Sequence, residues 1–431
     1  MSSKTKTTAT KEEARPALVP KLRFPVFREA EEWSQRRLGS VGQLTRGLTY
    51  SSDDVVPAGL LVLRSTNIQD GSLILDQDLV FVGKPCPDAL RLERGDIVIC
   101  MSNGSKALVG KSCEYSGDFD GDITVGAFCS FFRPALPFAK LAFHLNSYQK
   151  YIADLITGGN INNLTNSILE EFSFPIPSSS AEQQKIAECL RSVDELMAAQ
   201  ARKVDALKTH KKGLMQQLFP REGETQPRLR FPEFRKAGAW KLRKIGDMLV
   251  ETQRPIELFD DAEYRLVTVK RRYGGLISRG IMKGREILVR SQFVVRAGDF
   301  LISKRQIVHN ACGLVTRELD GSVVSNEYSV LTPKPGCSIE FFSWFAMQPA
   351  VSASFMNCSV GIVIEKMLFK LPAWLKQAFL FPSLPEQHRI ASCLSSLDAL
   401  ITAETQKLET LKTHKKGLMQ QLFPSPEEVE A

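Results

Sequence analysis

The sequence predicts an α/β (α+β) chain of two mixed-sheet modules separated by two long helices of nearly identical sequence. Three observations lead to this prediction. A block of 39 residues occurs twice, the segments between the blocks share one order of strand-like and helix-like runs, and the blocks have the apolar spacing of a coiled coil. We therefore expect one plan repeated about a pseudo-two-fold axis, with the long helices paired as an antiparallel coiled coil.

Composition limits the class of protein. A chain of 431 residues fits about two to four domains of ordinary size. Hydrophobic residues make up 43% and charged residues 24%, which is typical of globular proteins and excludes collagen-like, disulfide-scaffold and wholly disordered classes. The nine cysteines contain no C-x-x-C pair and indicate reduced thiols in a cytoplasmic protein. No apolar run is long enough to span a membrane, and residues 1–17 lack the apolar segment of a secretory signal.

The duplication defines the organisation of the chain. Glu182–Pro220 and Glu386–Pro424 are identical at 25 of 39 positions, with an offset of 204. A shorter repeat, PKLRFPVF at Pro20–Phe27 and PRLRFPEF at Pro227–Phe234, has an offset of 207. These repeats predict a disordered tail at 1–17, a first module at 18–178, a first long helix at 179–220, a linker at 221–239, a second module at 240–383, a second long helix at 384–424 and a tail at 425–431.

The two modules differ in sequence but keep the same order of elements. Each has a Gly-Asp turn that leads into an apolar strand, at Gly95 and at Gly298. Each then has a strand rich in β-forming residues, followed by a helix-like apolar stretch at 138–156 or 339–356. A common order with divergent sequence indicates one fold adapted to two different ligands.

The repeated block has the heptad spacing of a coiled coil, with polar breaks at equivalent places, Gln200 and Lys211 in one copy and Glu404 and Lys415 in the other. A helix of this length measures about 55 Å. Neither copy can bury its apolar seam alone, so we expect the copies to pair; the alternative is that each helix packs on its own module. The helix-pairing residues predicted from the heptads are Ile186, Leu190, Val193, Met197, Val204, Leu207, Leu214, Leu218, Ile390, Leu394, Leu397, Ile401, Leu408, Leu411, Leu418 and Leu422.

Motifs of catalysis are missing from the sequence. The nearest is Gly104–Ser112, in which five residues separate the two glycines where a phosphate-binding P-loop has four, and a turn follows where the P-loop needs a helix. Metal-binding spacings such as H-E-x-x-H and C-x-x-C do not occur. We therefore predict no catalytic residue, no metal site and no cofactor in this chain, and a function in binding.

Charge is distributed unevenly between the modules. Residues 36–178 hold 12 basic and 15 acidic side chains, a net −3, whereas residues 240–383 hold 20 and 13, a net +7. Within 264–305 the balance is 11 basic to 2 acidic. Basic, amide and hydroxyl side chains contact DNA phosphates and base edges, although a generic basic surface has the same composition. The DNA-binding candidates are Arg64, Asn67, Asn103, Ser105, Lys106, Asn160, Asn162, Asn163, Lys270, Arg271, Arg272, Tyr273, Lys304, Arg305 and Gln306.

The order of motifs resembles a known family. Phe174-Pro-Ile-Pro177 precedes E-Q-x-x-I-A-x-x-L at Glu182–Leu190 and a long helix ending in L-K-x-x-K-K-G-L-x-Q-x-L-F-P at Pro220, and the helix block recurs up to Pro424. This arrangement is similar to the specificity subunit of type I restriction–modification systems. The first copy has an Asn-rich loop, Gly158–Thr165, before its Phe-Pro-Ile-Pro strand motif. In the second copy, Ser359–Ile364 stands in place of this loop and Phe379-Leu-Phe-Pro382 in place of the strand motif.

The resemblance implies the function of each part. Each module would be a target-recognition domain that reads half of a split DNA sequence in the major groove, and the helices would fix the spacer. Two modification subunits and the restriction subunits would dock on this chain and carry the S-adenosylmethionine, ATP and Mg²⁺ sites. The protein would act in the cytoplasm of a bacterium or archaeon.

Two other hypotheses remain open from the residues alone. One is a coiled-coil scaffold that does not bind DNA and whose modules bind proteins. The other is a self-contained methyltransferase or nuclease, for which the sequence offers no motif. The basic stretch at 264–305 favours DNA binding over a protein scaffold.

Overall fold

The computed structural model describes residues 18–69, 71–158 and 163–424. The predicted tails at 1–17 and 425–431 lie outside the described residues. The chain divides into two compact units, the first containing residues 1–199 and 408–431 and the second containing residues 200–407. Each unit therefore takes one module, the first part of its own long helix and the last part of the other long helix. The boundaries predicted for the seven segments stay predictions.

The first unit contains twelve short strands and two short helices among its described residues, followed by the first long helix, α3, which continues into the second unit. The strands are β1 Ser34–Arg37, β2 Gly42–Arg46, β3 Val55–Val56, β4 Leu60–Leu63, β5 Ile68–Gln69, β6 Ser72–Leu73, β7 Phe81–Val82, β8 Ile97–Cys100, β9 Ser112–Glu114, β10 Ile123–Val125, β11 Cys129–Pro134 and β12 Ser173–Ile176. The helices are α1 Asn146–Gly158, α2 Asn166–Glu170 and α3 Ser180–Gln217.

The second unit has a similar but not identical order, and its described strands are β13 Lys241–Lys244, β14 Leu249–Glu251, β15 Pro255–Ile256, β16 Glu263–Val269, β17 Leu276–Lys283, β18 Gln292–Val294, β19 Phe300–Ser303, β20 Cys312–Leu314, β21 Val323–Ser325, β22 Tyr328–Pro333, β23 Ser359–Val360, β24 Leu368–Phe369 and β25 Ala378–Phe381. Its helices are α4 Ile245–Met248, α5 Ile339–Phe345, α6 Pro349–Asn357, α7 Leu371–Trp374 and α8 Leu384–Leu422, of which α8 continues into the first unit.

Two of the sheets of each module correspond in strand order, and another shares a parallel pair but differs in the number and order of its strands. An antiparallel sheet has the order β2-β11-β8-β9 in the first module and β14-β22-β19-β20 in the second. A second sheet, β10-β4-β7-β3 or β15-β18-β21-β16-β17, contains one parallel pair, β10 with β4 or β16 with β21. A third pair joins the start and end of each module, β1 with β12 and β13 with β25. The predicted mixed sheets and internal duplication are confirmed.

Each Gly-Asp turn predicted from the sequence holds a buried carboxylate that pairs with a partly exposed arginine. Gly95 and Gly298 have φ angles of +96° and +89°, a conformation that glycine adopts without strain. The carboxylate that follows accepts a backbone N–H from three residues earlier and is bound by an arginine: Asp96 by Arg133 at 2.7 Å, and Asp299 by Arg254 at 2.7 Å. Each turn thereby fixes the entry of a fully buried strand, β8 or β19.

Each module is completed by the end of the other module's helix. In the first unit, Phe423 stacks on Phe138 with ring centroids 5.5 Å apart and meets the edge of Trp33 at 5.7 Å. In the second unit, Phe219 stacks on Phe341 at 5.7 Å and meets Trp240 at 6.2 Å. Apolar residues at the start of each module's own helix, Ile186 and Leu190 or Ile390 and Leu394, belong to the same buried clusters.

Buried ion pairs tie the repeated PxLRFP segments to the helix starts. Arg23 donates to Glu182 from Nε and Nη2 at 2.7 Å, and its Nη1 donates to the carbonyl of Ala30 at 2.8 Å. Arg230 donates to Glu386 at 2.8 and 2.7 Å from the same atoms. Bidentate pairs of this kind are among the stronger hydrogen bonds in proteins, so both duplicated motifs contribute to one structural contact.

The helix segments run antiparallel within each unit. In the second unit, Lys211 pairs with Asp398, and Gln200 donates to Glu404 at 2.7 Å, so numbers rise on one helix as they fall on the other. In the first unit, Lys415 donates to Asp194 at 2.6 Å. The polar breaks of the heptads therefore bind side chains of the facing helix. All sixteen predicted helix-pairing residues are buried or half-buried.

Candidate nucleic-acid interface

In the first module, loops that follow different strands meet at one face. The loop after β8 carries Asn103, whose Nδ2 donates to the hydroxyl of Ser65, after β4, at 2.9 Å. The Asn103 Oδ1 accepts the backbone N–H of Ser105 at 2.9 Å, and Ser102 binds the side chain of Asn163. These contacts bring together three of the DNA-binding candidates, Asn103, Ser105 and Asn163.

Ser105, Lys106 and Asn163 have exposed side chains on this face, whereas Asn103 is half-buried. Their amide, hydroxyl and ammonium groups are donors that suit phosphate oxygens and base edges. Asn160 and Asn162, the other predicted residues of the Asn-rich loop, lie outside the described residues.

Asn67 does not reach this surface, and its prediction as a DNA contact is wrong. Its side chain is only 1% exposed. Its Oδ1 accepts the backbone N–H of Arg64 at 2.9 Å, and its Nδ2 lies 3.3 Å from the carbonyl of Ile74 and 3.4 Å from that of Asp78. Asparagine caps turns in this way, so Asn67 shapes the loop. The guanidinium of Arg64 is bound to Asp78 at 2.6 Å and is partly exposed.

In the second module, the hairpin turn between β16 and β17 is fixed by its backbone. Arg272 and Tyr273 both have left-handed φ angles, +56° and +55°. Their N–H groups donate to the carbonyls of His309 and Asn310 at 2.7 and 3.0 Å. These bonds offset the strain of the left-handed conformation and hold the turn against the loop that follows β19.

Five of the predicted cations lie on these two adjacent segments. Lys270, Arg271 and Arg272 are exposed on the hairpin turn, and Arg305 is exposed on the neighbouring loop beside the half-buried Lys304. A hydrogen bond of 2.8 Å from Arg271 Nε to the side-chain oxygen of Gln306 links the segments. The ammonium of Lys304 donates to the carbonyl of Asn326 at 2.7 Å, and Arg305 pairs with Glu327 at 2.8 Å. Together these residues form a basic face with three exposed arginines and the side-chain amide of Gln306.

Tyr273 is half-buried and anchors the hairpin turn, and its assignment as a DNA contact stays a prediction. Its hydroxyl donates to the carbonyl of Ala346 at 3.0 Å. Burial raises the pKa of Tyr273 to about 12, so the phenol stays protonated and keeps this bond at neutral pH. The ring thus fastens the basic hairpin to the helical part of the module.

Two residues near these faces were not predicted from the sequence. Phe128, in the turn between β10 and β11, is exposed beside the loop of Asn103, and Arg46 donates from Nε to the carbonyl of Ala127 in that turn at 3.0 Å. Composition does not separate an exposed phenylalanine from a core one, and both segments are otherwise strand-like. Only the register of the strands places these side chains.

The described residues contain no group of three or more His, Cys, Asp or Glu side chains that could hold a metal ion. In the same part of the chain, none of the helices combines the length and the apolar character needed to cross a bilayer.

Comparison with known proteins identifies the family. The model of the type I restriction modification DNA specificity domain matches twice, at residues 30–209 and 238–413. The chain belongs to this family of specificity subunits. The prediction made from the repeated helix block is thus confirmed, and so is the assignment to the specificity subunit, which is not the catalytic part of a type I restriction enzyme.

Curated specificity subunits match over part of their length. The specificity subunit of the type I restriction enzyme StySPI from Salmonella potsdam is 36% identical over 185 residues, and that of EcoKI from Escherichia coli strain K12 is 36% identical over 181 residues. Each alignment covers 39% of this chain and 37% of the relative.

Solved structures match over almost the whole chain. A type I restriction–modification S subunit from M. genitalium aligns over 95% of this chain and all of its own, with a TM-score of 0.56 and 13% identity. A structure described in terms of complex assembly and conformational transition of the type I system aligns over 91% of this chain and 98% of its own, with a TM-score of 0.51 and 16% identity. At these identities the similarity is one of fold.

Proposed function

We propose that this specificity subunit reads a bipartite double-stranded DNA target, one half-site with each module. The observation that supports this most directly is that both modules present exposed polar or basic loops at equivalent strand ends, but with different side chains. The first face offers hydroxyl, amide and single lysine groups, and the second offers clustered arginines. Two faces on one scaffold with different donors suit two different base sequences.

The long helices would set the spacing between the half-sites. A helix of 38 residues measures about 57 Å, longer than one turn of B-DNA at about 34–36 Å. The polar pairs of the seam support one register, because a shifted pair of helices would leave Lys211 and Gln200 without their partners.

Methylation and cleavage would be carried out by other proteins. Two modification subunits and the restriction subunits would bind this chain, and S-adenosylmethionine, ATP and Mg²⁺ would act in those subunits. We place the complex on DNA in the cytoplasm of a bacterium or archaeon.

Base-resolution methylation mapping tests the proposal. The full chain is expressed with its modification subunits in a host that lacks other methyltransferases. We expect one split motif with a constant spacer. Methylation without a split motif, from a complex that forms normally, would refute the assignment of one half-site to each module.

A charge-matched pair of variants tests the DNA face. R271Q/R272Q removes two exposed cations from the basic hairpin turn, whereas R285Q/R290Q removes two near the opposite end of β17, where they pair with Asp261 and Asp260. We expect the first variant to weaken DNA binding and the second to have little effect. Equal effects would show that only net charge matters, and intact partner binding without any DNA affinity in the unmodified complex would favour the protein-scaffold hypothesis.

A further inference from the structure

The turns that follow β10 and β21 occupy the same place in the two modules. In the first antiparallel sheet, Phe131 of β11 lies opposite Val98 of β8; in the other module, Val330 of β22 lies opposite Leu301 of β19. Counting back along β11 and β22 aligns Phe128 with Glu327. The backbone agrees, because the carbonyl of Phe128 accepts the N–H of Met101 at 2.9 Å and the carbonyl of Glu327 accepts that of Lys304 at 2.9 Å.

Phe128 is exposed on a turn that backbone hydrogen bonds hold in place. Its side chain is 69% exposed, while its carbonyl accepts hydrogen bonds from both Met101 and Ser102. Ser102 in turn binds Asn163, and the adjoining residue is Asn103. The ring therefore projects from the same loop cluster as the amide and hydroxyl groups of the first face.

The second module has a charged pair at this position. The Glu327 carboxylate accepts the Nε–H of Arg305 at 2.8 Å, and both side chains are about half exposed. A carboxylate on Nε restricts the rotation of the guanidinium and leaves its two terminal amino groups as donors. Two parallel donors match the O6 and N7 acceptors of guanine in the major groove.

We propose that Phe128 and the Glu327–Arg305 pair are corresponding base-specificity determinants of the two half-sites. Phe128 packs on the C5 methyl group of a thymine in the first half-site. Arg305 donates to O6 and N7 of a guanine in the second, and Glu327 is its positioning residue. This inference rests on the proposed reading of one half-site by each module.

DNA fits this position better than a protein partner. Phe128 is bonded through its carbonyl to the start of the loop that carries Asn103, Ser105 and Lys106. Arg305 adjoins Lys304, and the next residue, Gln306, is bonded to Arg271 of the hairpin turn. Such donors contact phosphates and base edges, whereas protein interfaces are depleted of lysine and serine, the residues present here as Lys106, Lys304 and Ser105. A phenyl group beside a thymine methyl is also a recognised form of apolar base contact.

The test compares substitutions by methylation mapping of the full complex. F128A should relax one thymine position of one half-site and should leave the other half-site unchanged. F128L keeps an apolar side chain and should retain most of the preference. F259A removes another exposed phenyl ring, from the second module, and serves as the control; it should change no position of the motif.

The second module is tested in the same way. R305Q should relax one guanine position of the other half-site by about 5- to 150-fold, the range expected for loss of a bidentate base contact. E327Q should weaken that preference less, since it keeps the shape of the side chain but not the charge. A preference that survives E327Q in full but is lost in R305Q would remove Glu327 from the inference.

The outcomes separate this inference from the proposed function. An unmodified complex without a split motif would overturn both. A split motif that F128A and R305Q leave unchanged at every position would overturn this inference alone. Loss of total methylation with an unchanged motif, together with weaker co-purification of the modification subunits, would show that the position contacts protein and would also overturn it.

Discussion

Replacing Phe423 with alanine should destabilise the first module and spare the second. Phe423 is only 5% exposed, and its ring stacks on Phe138 and meets Trp33, about 390 residues earlier in the sequence. Truncation of a buried phenylalanine to alanine costs about 3–5 kcal/mol. Part of this cost is the loss of two aromatic pairs worth about 0.5–1.5 kcal/mol each. The expected loss is thus a large share of a typical domain's stability of about 5–15 kcal/mol.

Hydrogen exchange with mass spectrometry measures this loss module by module. Amides of β8 and β11 report on the first module, and amides of β19 and β22 report on the second. Since about 1.4 kcal/mol corresponds to a tenfold change, protection of the first set should fall by roughly a hundred- to a few thousandfold if those amides exchange through opening of the module. Protection of the second set should stay the same.

The matched control is F219A, the equivalent change in the second unit, where Phe219 stacks on Phe341 and meets Trp240. It should give the reciprocal pattern, with loss of protection in β19 and β22. The reasoning would be refuted if F423A lowered protection in the second module as much as in the first, or left both modules unchanged.

Three further predictions concern charged residues. Hydrogen bonds from Gln200 and Lys203 lower the pKa of Glu404 to about 2, below its usual 4.5, so its contribution to stability is present above pH 4.5 and is lost as the pH falls towards 2; E404Q should flatten the acid limb of a plot of melting temperature against pH. D299A should cost about 1–3 kcal/mol in urea unfolding, because it removes the buried acceptor of the Arg296 N–H and of Arg254, whereas D261A, at an exposed pair, should cost less than about 1 kcal/mol. R271Q/R272Q should reduce the slope of log K against log salt for DNA binding by about 0.9 for each phosphate that the variant no longer neutralises, measured by fluorescence anisotropy between low and physiological salt.

Much of the fold could be predicted from the sequence because its determinants are periodic. Apolar residues at heptad spacing have few ways to become buried, and two such helices in one chain can bury each other's apolar seams. The polar residues in the seam could be recognised as breaks, but their partners could not be read from the heptads alone. Asp398 and Asp194 lie outside the a and d positions, and the antiparallel register decides that they face Lys211 and Lys415.

The interface was less predictable, because the donors of a loop can bind either a ligand or the loop itself. Nothing in the local sequence distinguishes Asn67, which is buried and caps a turn, from Asn103, which is half-buried and lies in the loop cluster of the first module. Tyr273 follows three basic residues, a pattern typical of DNA-contacting segments, yet its hydroxyl binds a main-chain carbonyl. Phe128 was missed for the opposite reason, since an aromatic residue between two β-rich runs usually belongs to the core.

The paired sockets, with Trp33 and Phe423 in one unit and Trp240 and Phe219 in the other, have a consequence for how such proteins diversify. None of these aromatic residues belongs to the loops that carry the candidate DNA contacts. In each unit a buried arginine–glutamate pair, Arg23–Glu182 or Arg230–Glu386, also joins the module to its helix. A module transferred by recombination into a chain with the same helix ends would therefore find the same phenylalanine and glutamate to pack against. New target sequences could then arise by exchange of whole modules, without a period of selection to repair the scaffold.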